Sequence, residues 1–397
     1  MVPEFSLVTI IPKDHMSIFG RKIDISPGYA YAVYMNGMPS TFDPDLPYND
    51  LPPLPPPIEV ETRGVLKAVV AAREQLAALD TACRLIPNPH IITSTIPLRE
   101  AQASTEIENI VTTNDELFRA AWAVDADPSP ATKEALRYRE ALHRGVAQLG
   151  ERPVSVKTAE MLGSILQGGP ALIRSTPGTF IGDPAKKTRV YTPPEGREVI
   201  ERHLGAWERF IYSDHDLDPL VLMAVTHYQF EAIHPFYDGN GRTGRLLNVL
   251  LLIQANLLQL PVLYLSGYIV SNKSEYYRLL RAVTEESAWE DWVLFMVRGV
   301  EQAARDAYEL INRLRDLQEQ TAAEIRGIGG IQPAAELAEV LLMNPYVRIQ
   351  DVIDAELAQR QTASNWLAKL VRAGLLVEVK VGRQKIFVNG RALEILT

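Results

Sequence analysis

The chain has 397 residues, 47% hydrophobic and 22% charged, a balance that fits a globular protein of more than one domain and excludes a disordered or low-complexity chain. A net charge of −9 excludes a surface given over as a whole to nucleic acid. Cys83 is the lone cysteine, which excludes an internal disulfide.

Met1 to Ser6 lacks the basic start and apolar core of a signal peptide, so the cytoplasm is the expected compartment. Prolines at 44, 47, 52, 53, 55, 56 and 57 mark an extended segment, read as a strap across the domain or a ligand for a proline-binding module. The first helical pattern runs from about Glu59 to Leu85. Next comes Ser104-Thr-Glu-Ile-Glu-Asn109, where Ser104 taken alone reads as a helix N-cap. From about Asp115 to Arg315 the pattern is helical almost throughout, with no internal repeat. The exception is Arg174 to Pro194, where Gly and Pro punctuate short β-prone runs and predict a hairpin carrying Phe180 and Ile181.

Asp218 to Ile233 has apolar residues at helical spacing, which makes His227 a core-edge residue rather than a ligand. It leads into His234-Pro-Phe-Tyr-Asp-Gly-Asn-Gly-Arg-Thr-Gly-Arg245, the most informative stretch of the chain. His234 titrates near working pH and is the candidate general base. Gly239 and Gly241 flank Asn240 and allow a backbone concavity whose N–H groups converge on an anion. The run from Arg242 to Leu258 reads as a buried helix, so this concavity lies at a helix N-terminus, where phosphate is favoured. Arg242 and Arg245 share one side of its first turn and can grip different phosphates. Asp238 is a hard oxygen ligand beside them, which with substrate phosphates suits Mg²⁺. The window from Leu246 to Leu265 is the most apolar, but Asn248, Gln254, Asn256, Gln259 and Pro261 interrupt it, so a buried helix is expected and no membrane span. Tyr268, Asn272, Tyr276 and Tyr277 then offer stacking faces and an amide suited to a purine, at most two of the four being expected to touch it.

Pro333 to Leu342, Ile349 to Leu357 and Gln361 to Leu376 read as short helices, and Val377 to Val388 alternates around Gly382 as a hairpin. Three helices and a hairpin look like a winged helix. From Arg360 to Arg391 seven Lys or Arg stand against Glu378 alone, a candidate phosphate-backbone footprint. Winged helices also serve as dimerisation or protein-docking modules, so DNA, another protein and a second copy of the chain are all candidate partners.

The twelve residues from His234 resemble the Fic motif, His-x-Phe-x-(Asp/Glu)-Gly-Asn-Gly-Arg-x-x-Arg, with no departure at any specified position. The resemblance implies a mainly α fold: a Fic-type helical core with a β-hairpin flap, then a small α+β winged-helix domain. It divides the chain into 1–115, 116–315 and 330–397. It implies transfer of AMP from ATP to a Ser, Thr or Tyr hydroxyl of a target protein, the chain itself included. His234 would be the base on that hydroxyl and Asp238 the Mg²⁺ ligand. Gly239, Asn240, Gly241 and Arg242 would hold the α- and β-phosphates within a cradle running through Thr243 and Gly244, and Arg245 would meet the γ-phosphate. Asn272, Tyr276 and Tyr277 fall in the part that walls the adenine pocket, and Phe180 and Ile181 in the flap that docks the target by strand addition. Ser104, Glu108 and Asn109 fit the family's inhibitory pattern, (Ser/Thr)-x-x-x-Glu-(Gly/Asn). A Glu108 carboxylate paired with Arg245 would take the guanidinium from the γ-phosphate, and Glu108→Gly should activate. AMP removal at the same site is one alternative, and a DNA-binding regulator whose Fic-like region only senses nucleotide is another. Phosphoryl transfer is disfavoured because that branch of the family carries lysine where this chain has Gly241.

Overall fold

The computed structural model describes residues 42–86, 88–122, 127–183, 188–381 and 384–396, together with 17–18 and 21–22. The chain forms two units, 1–41 and 42–397. In the first, Ser17–Ile18 (β1) pairs antiparallel with Arg21–Lys22 (β2). The signal-peptide reading of Met1 to Ser6 falls outside the described residues.

About 65% of the described residues are helical. In the second unit, Pro44 to Pro57 forms neither helix nor strand, and where an extended segment is expected it opens on a turn, the Leu46 N–H donating to the Asp43 carbonyl at 3.1 Å. It lies as a strap over the core: the Tyr48 N–H donates to the Thr192 carbonyl at 2.9 Å, and the Gln229 amide donates to the Pro52 carbonyl at 3.2 Å. Helices α1 (Arg63–Leu85), α2 (His90–Ile107), α3 (Asn114–Ala121), α4 (Pro130–Leu149) and α5 (Val156–Gln167) follow. The hydroxyls of Thr62, Thr113, Ser129 and Ser155 accept from the first turns of α1, α3, α4 and α5, so the short polar residues mark the starts as N-caps should. Ser104 lies inside α2 rather than at a start, which removes its N-cap reading.

The hairpin β3 (Ile181–Asp183) and β4 (Thr188–Tyr191) stands where Gly and Pro punctuate the sequence. Its 184–187 tip lies outside the described residues. Helix α6 (Arg197–Ile211) leads to the central pair, α7 (Pro219–Ile233) and α8 (Asn240–Gln254). Both are buried on nearly all sides, which fits their uniform apolar content rather than a stripe. Two indoles pin α7: Trp207 Nε1 donates to the Thr226 carbonyl at 3.0 Å and Trp292 Nε1 to the Ala224 carbonyl at 2.8 Å. These bonds satisfy the polar edge of two wholly buried rings.

Helices α9 (Leu265–Ser271) and α10 (Lys273–Glu286) wall the cleft, and α11 (Trp289–Ile328) then runs 40 residues without a break. The C-terminal part contains α12 (Ala334–Met343), β5 (Tyr346–Val347), α13 (Ile349–Asp354), α14 (Arg360–Arg372), β6 (Val377–Val381), β7 (Gln384–Val388) and α15 (Gly390–Leu396). Its sheet is antiparallel in the order β5-β7-β6. The expected hairpin is present, with residues 382 and 383 outside the described set, and β5 adds a third strand. No helix among the described residues is long and apolar enough to cross a membrane.

Candidate active site

The site is the junction of α7 and α8. His234 ends α7 in the left-handed region at φ 49°, its N–H donating to the Phe230 carbonyl at 3.0 Å. That conformation costs a residue with a Cβ on the order of 1 kcal/mol, so something must hold it. Arg174 does. Its guanidinium is buried, has no carboxylate partner among the described residues, and donates to the carbonyls of His234 at 2.6 Å, Pro194 at 3.0 Å and Ile233 at 3.2 Å.

The turn closes on itself through Asn240. Its Oδ1 accepts from the Phe236 N–H at 2.7 Å and its Nδ2 donates to the Phe236 carbonyl at 2.8 Å. The Asn240 side chain is thus occupied with the turn, leaving its backbone N–H as the group that can face an anion. Gly239 supplies the left-handed residue, φ 76°, from which α8 starts. The Tyr237 hydroxyl accepts from the N–H groups of Ser175 at 3.1 Å and Thr176 at 3.3 Å, which ties the loop to the base of the hairpin. These bonds bring the phenol down to about 7.

Glu108 enters from α2 and meets both arginines. Arg245 donates from Nη2 to Glu108 Oε1 at 2.8 Å, and from Nε and Nη2 to the hydroxyl and carbonyl of Ser104 at 2.8 and 2.9 Å. Arg242 donates from Nε to Glu108 Oε2 at 3.0 Å and from Nη2 to both Asp238 oxygens at 3.2 Å, and its Nη1 pairs with Glu134. Both arginines are at most 2% exposed, and Glu108 is 24% exposed. Burial disfavours the charge on Glu108, but Arg245 and Arg242 outweigh it and hold the carboxyl below its ordinary range. Burial likewise works against the charge on Arg245, yet Glu108 leaves its pKa raised. Close approach is possible because residue 241 is glycine: a Cβ there would lie 2.7 Å from Glu108 Oε1 and 2.8 Å from Arg245 Nη1.

Asn109 caps α2 in the left-handed region at φ 62°. The N–H of Asn109 reaches the Glu106 carbonyl and that of Ile110 the Thr105 carbonyl, the bond pair of a Schellman cap. Asn109 Oδ1 accepts from Lys273 Nζ at 2.9 Å, linking this cap to α10.

His234 is pushed down to about 4 by burial first and the Arg174 charge second, against the opposing pull of Glu108. Its Nδ1 is buried with no hydrogen-bond partner among the described residues. The imidazole is therefore neutral at working pH and able to accept a proton. Beside it opens a cavity of about 420 Å³, lined by Glu108, Asn109, Ile181, Glu231, Lys273 and Tyr277 among others.

Of the residues proposed to meet adenine, Tyr277 lines this cavity and is half exposed. Tyr276 does not offer a face to a purine: it is 1% exposed, with its hydroxyl 2.9 Å from His227 Nε2, because its ring is needed against Trp292 and Phe295. Asn272 spends its amide on the Tyr268 carbonyl at 2.9 Å, and Tyr268 packs on Phe295. Ile181 reaches the cavity, while Phe180 lies under the Arg189 guanidinium at 4.9 Å. Thr243 is fully buried with an unpartnered hydroxyl, and Gly244 faces His227 and Glu231 on α7. His227 is buried and stacked on Trp292, in keeping with its core role.

Sequence reasoning missed Arg174, Glu134 and Glu231. Only Glu231 carried a local signal, lying three residues before His234.

Three family models match in order along the chain: Fic/DOC family N-terminal over residues 66–147, Fic/DOC family over 159–252, and Protein adenylyltransferase SoFic-like, C-terminal domain over 317–392. Proteins named Protein adenylyltransferase Fic from Drosophila sechellia and Drosophila melanogaster are each 34% identical to it over 109 residues, which is 26% of this chain. The match spans about a fifth of those relatives' length, 21%. A crystal structure of a Fic family protein from Desulfovibrio desulfuricans superposes with a TM-score of 0.56 at 22% identity, covering 86% of this chain and 98% of that one, a likeness of fold. With the complete motif at the α7–α8 junction, on that fold and within those three matched segments, the chain belongs to the Fic/DOC family.

Proposed function

We propose that this chain is an ATP-dependent protein adenylyltransferase that moves AMP onto a Ser, Thr or Tyr hydroxyl of a target protein and is held in check by Glu108. The observation that carries the reading is the placement of one carboxylate, from a different helix, against both arginines at the start of α8. That is where a helix N-terminus and two guanidiniums would otherwise take a polyphosphate. Glu108 also stands at the negative end of α2, where a carboxylate is disfavoured, so its hold depends on the arginines and can be reversed.

In the active form the target hydroxyl lies by His234, along the hairpin near Ile181. Its oxygen attacks the α-phosphorus, the bond to the β-phosphate oxygen breaks, pyrophosphate leaves and His234 takes the proton. The donor set fits Mg²⁺: the Asp238 side chain is 70% exposed and, among the described residues, bonded at 3.2 Å to Arg242 alone, leaving the solvent side of its oxygens open beside the phosphate site. That ion would neutralise charge developing on the leaving phosphates. We assign residues 330–397 to a winged-helix domain that docks protein rather than DNA. Lys385 is paired with Glu378 and Arg391 with Glu324, so part of the basic run is already neutralised.

The test incubates the unmodified chain, Glu108→Gly and Glu108→Gly/His234→Ala with Mg²⁺, lysate protein, and ATP labelled on the α- or γ-phosphate. Covalent α-label should rise about tenfold or more in the single mutant, the effect of ~1.4 kcal/mol of relieved inhibition, and vanish in the double mutant. Label from the γ-phosphate would make the protein a kinase, and no label from either would overturn the reading.

A further inference from the structure

Glu231 is the one acid of the cleft that the reading above leaves without work. It sits on α7 one turn before His234, lines the cavity together with Glu108, and has its Oε1 buried with no hydrogen-bond partner among the described residues. A Cβ on residue 244 would lie 2.6 Å from that oxygen, so Gly244 is what lets Glu231 press against α8 one residue from Arg245. A buried carboxylate oxygen without a donor is expensive unless the group is neutral or finds one.

The charged groups around it are set by four helices. From α8 comes Arg245, which favours its charge, and from α2 comes Glu108, which opposes it. Its own helix contributes His227 and His234, both held neutral by burial at working pH. From α10, Lys273 and Arg281 line the same cavity, with Arg281 paired to Glu285 and Lys273 to Asn109, while Tyr276 is buried and Tyr277 lines the cavity beside Lys273. Burial dominates and pushes Glu231 up to about 7.

We propose that Glu231 is a nucleotide-contacting residue that works as a neutral acid, donating its O–H to a phosphate oxygen of ATP once Glu108 has withdrawn. The proposal rests on the nucleotide-transfer reading. No covalent bond to the nucleotide is made or broken: the Glu231 carboxylate takes one proton from a solvent hydronium or buffer acid as ATP enters, forming its O–H, and keeps it. Exchanging the single charge of Glu108 for the several charges of a triphosphate favours that proton, and the neutral acid supplies a donor where a carboxylate would repel. Binding and proton uptake are then linked, and affinity falls as pH rises past the point where Glu231 ionises.

The experiment is calorimetry of ATP binding to Glu108→Gly/His234→Ala, with and without Glu231→Gln, with Mg²⁺ in excess so that the nucleotide is fully ionised beforehand. Titrations at pH 7.5 in two buffers of different ionisation enthalpy give the protons taken up. The Glu231 form should take up roughly half a proton or more and lose affinity toward pH 9, and the Gln form should take up none and stay within about threefold in affinity at pH 7. Equal proton uptake by both forms, or a more than tenfold loss in the Gln form, overturns the role of Glu231 alone. Failure of both forms to bind ATP overturns the adenylyltransferase reading as well.

Discussion

At Arg242 and Arg245 the same chemistry that would bind phosphate is spent on carboxylates, and the two arginines are not equivalent. Arg242 has three acidic partners, Glu108, Glu134 and Asp238, so loss of Glu108 still leaves it held. Arg245 has Glu108 as its one ion-pair partner among the described residues, and the Ser104 groups otherwise, so it is the guanidinium that withdrawal of Glu108 frees. His234 makes a separate prediction. Its pKa is lowered to about 4 from an ordinary 6.5, so the base is already neutral well into the acid range. Removing Glu108 deletes a charge that supports the protonated form and pushes the value no higher. The kcat/KM for ATP of Glu108→Gly/Glu231→Gln, which reports the free enzyme with residue 231 no longer titrating, should therefore hold level from pH 7.5 to about 5 and fall only near 4. An acid limb centred at 6.5 would show that burial does not control this imidazole.

On the scale of the element, α2 is a lever whose last turn carries the inhibitory group and is fastened at two points of unequal strength. The buried fastening is Ser104 Oγ accepting from Arg245 Nε, and the exposed one is Lys273 to Asn109. A buried hydrogen bond to a charged group is worth ~1.5–3 kcal/mol, whereas an exposed contact of a lysine contributes ~0.2–1 kcal/mol. Ser104→Ala should accordingly raise α-label incorporation by at least about tenfold, and Lys273→Ala by no more than about fivefold. The reverse order would mean that α10, and not the arginine, governs release.

These elements differ in how far the sequence announces them. The starts of α7 and α8, the turn between them, the hairpin and the three short C-terminal helices rest on local signals: a cap, glycine at a positive φ, apolar spacing. The contacts of Glu108 with Arg242 and Arg245 were legible only through motif resemblance, since 134 and more residues separate the partners. Arg174 and Glu134 gave no sign, because an arginine amid turn residues and a glutamate in a polar helix look the same whether solvated or buried. Tyr276 was misplaced for a related reason: spacing puts it on α10 beside Tyr277, but only packing against Trp292 decides which of the two faces the cavity.

For the whole of residues 42–397, the long α11 is the member that joins the parts. It packs on α1 and α7 and on α12 and α15, and its buried residues recur from Trp289 to Ile325, with Thr321 the one polar side chain among them. The Tyr346 hydroxyl bonded to Asp115 and the Asn88 amide bonded to Glu339 add side-chain links between the C-terminal part and the helices that precede the hairpin. Apolar continuity along one rigid helix predicts cooperative unfolding across residues 42–397 rather than independent melting of the C-terminal part. Leu314, 1% exposed and midway along α11, is the place to test it. Leu314→Ala should cost ~2–4 kcal/mol through lost burial and the cavity left behind. Hydrogen exchange should then show α7 and α14 losing protection by equal amounts, with one calorimetric transition moving down by several degrees. Loss confined to α14, or a second transition split from the first, would mean that α11 is two structural units and that the C-terminal part can move independently of the site. In that case a partner docked on it could not act on Glu108 through the helix.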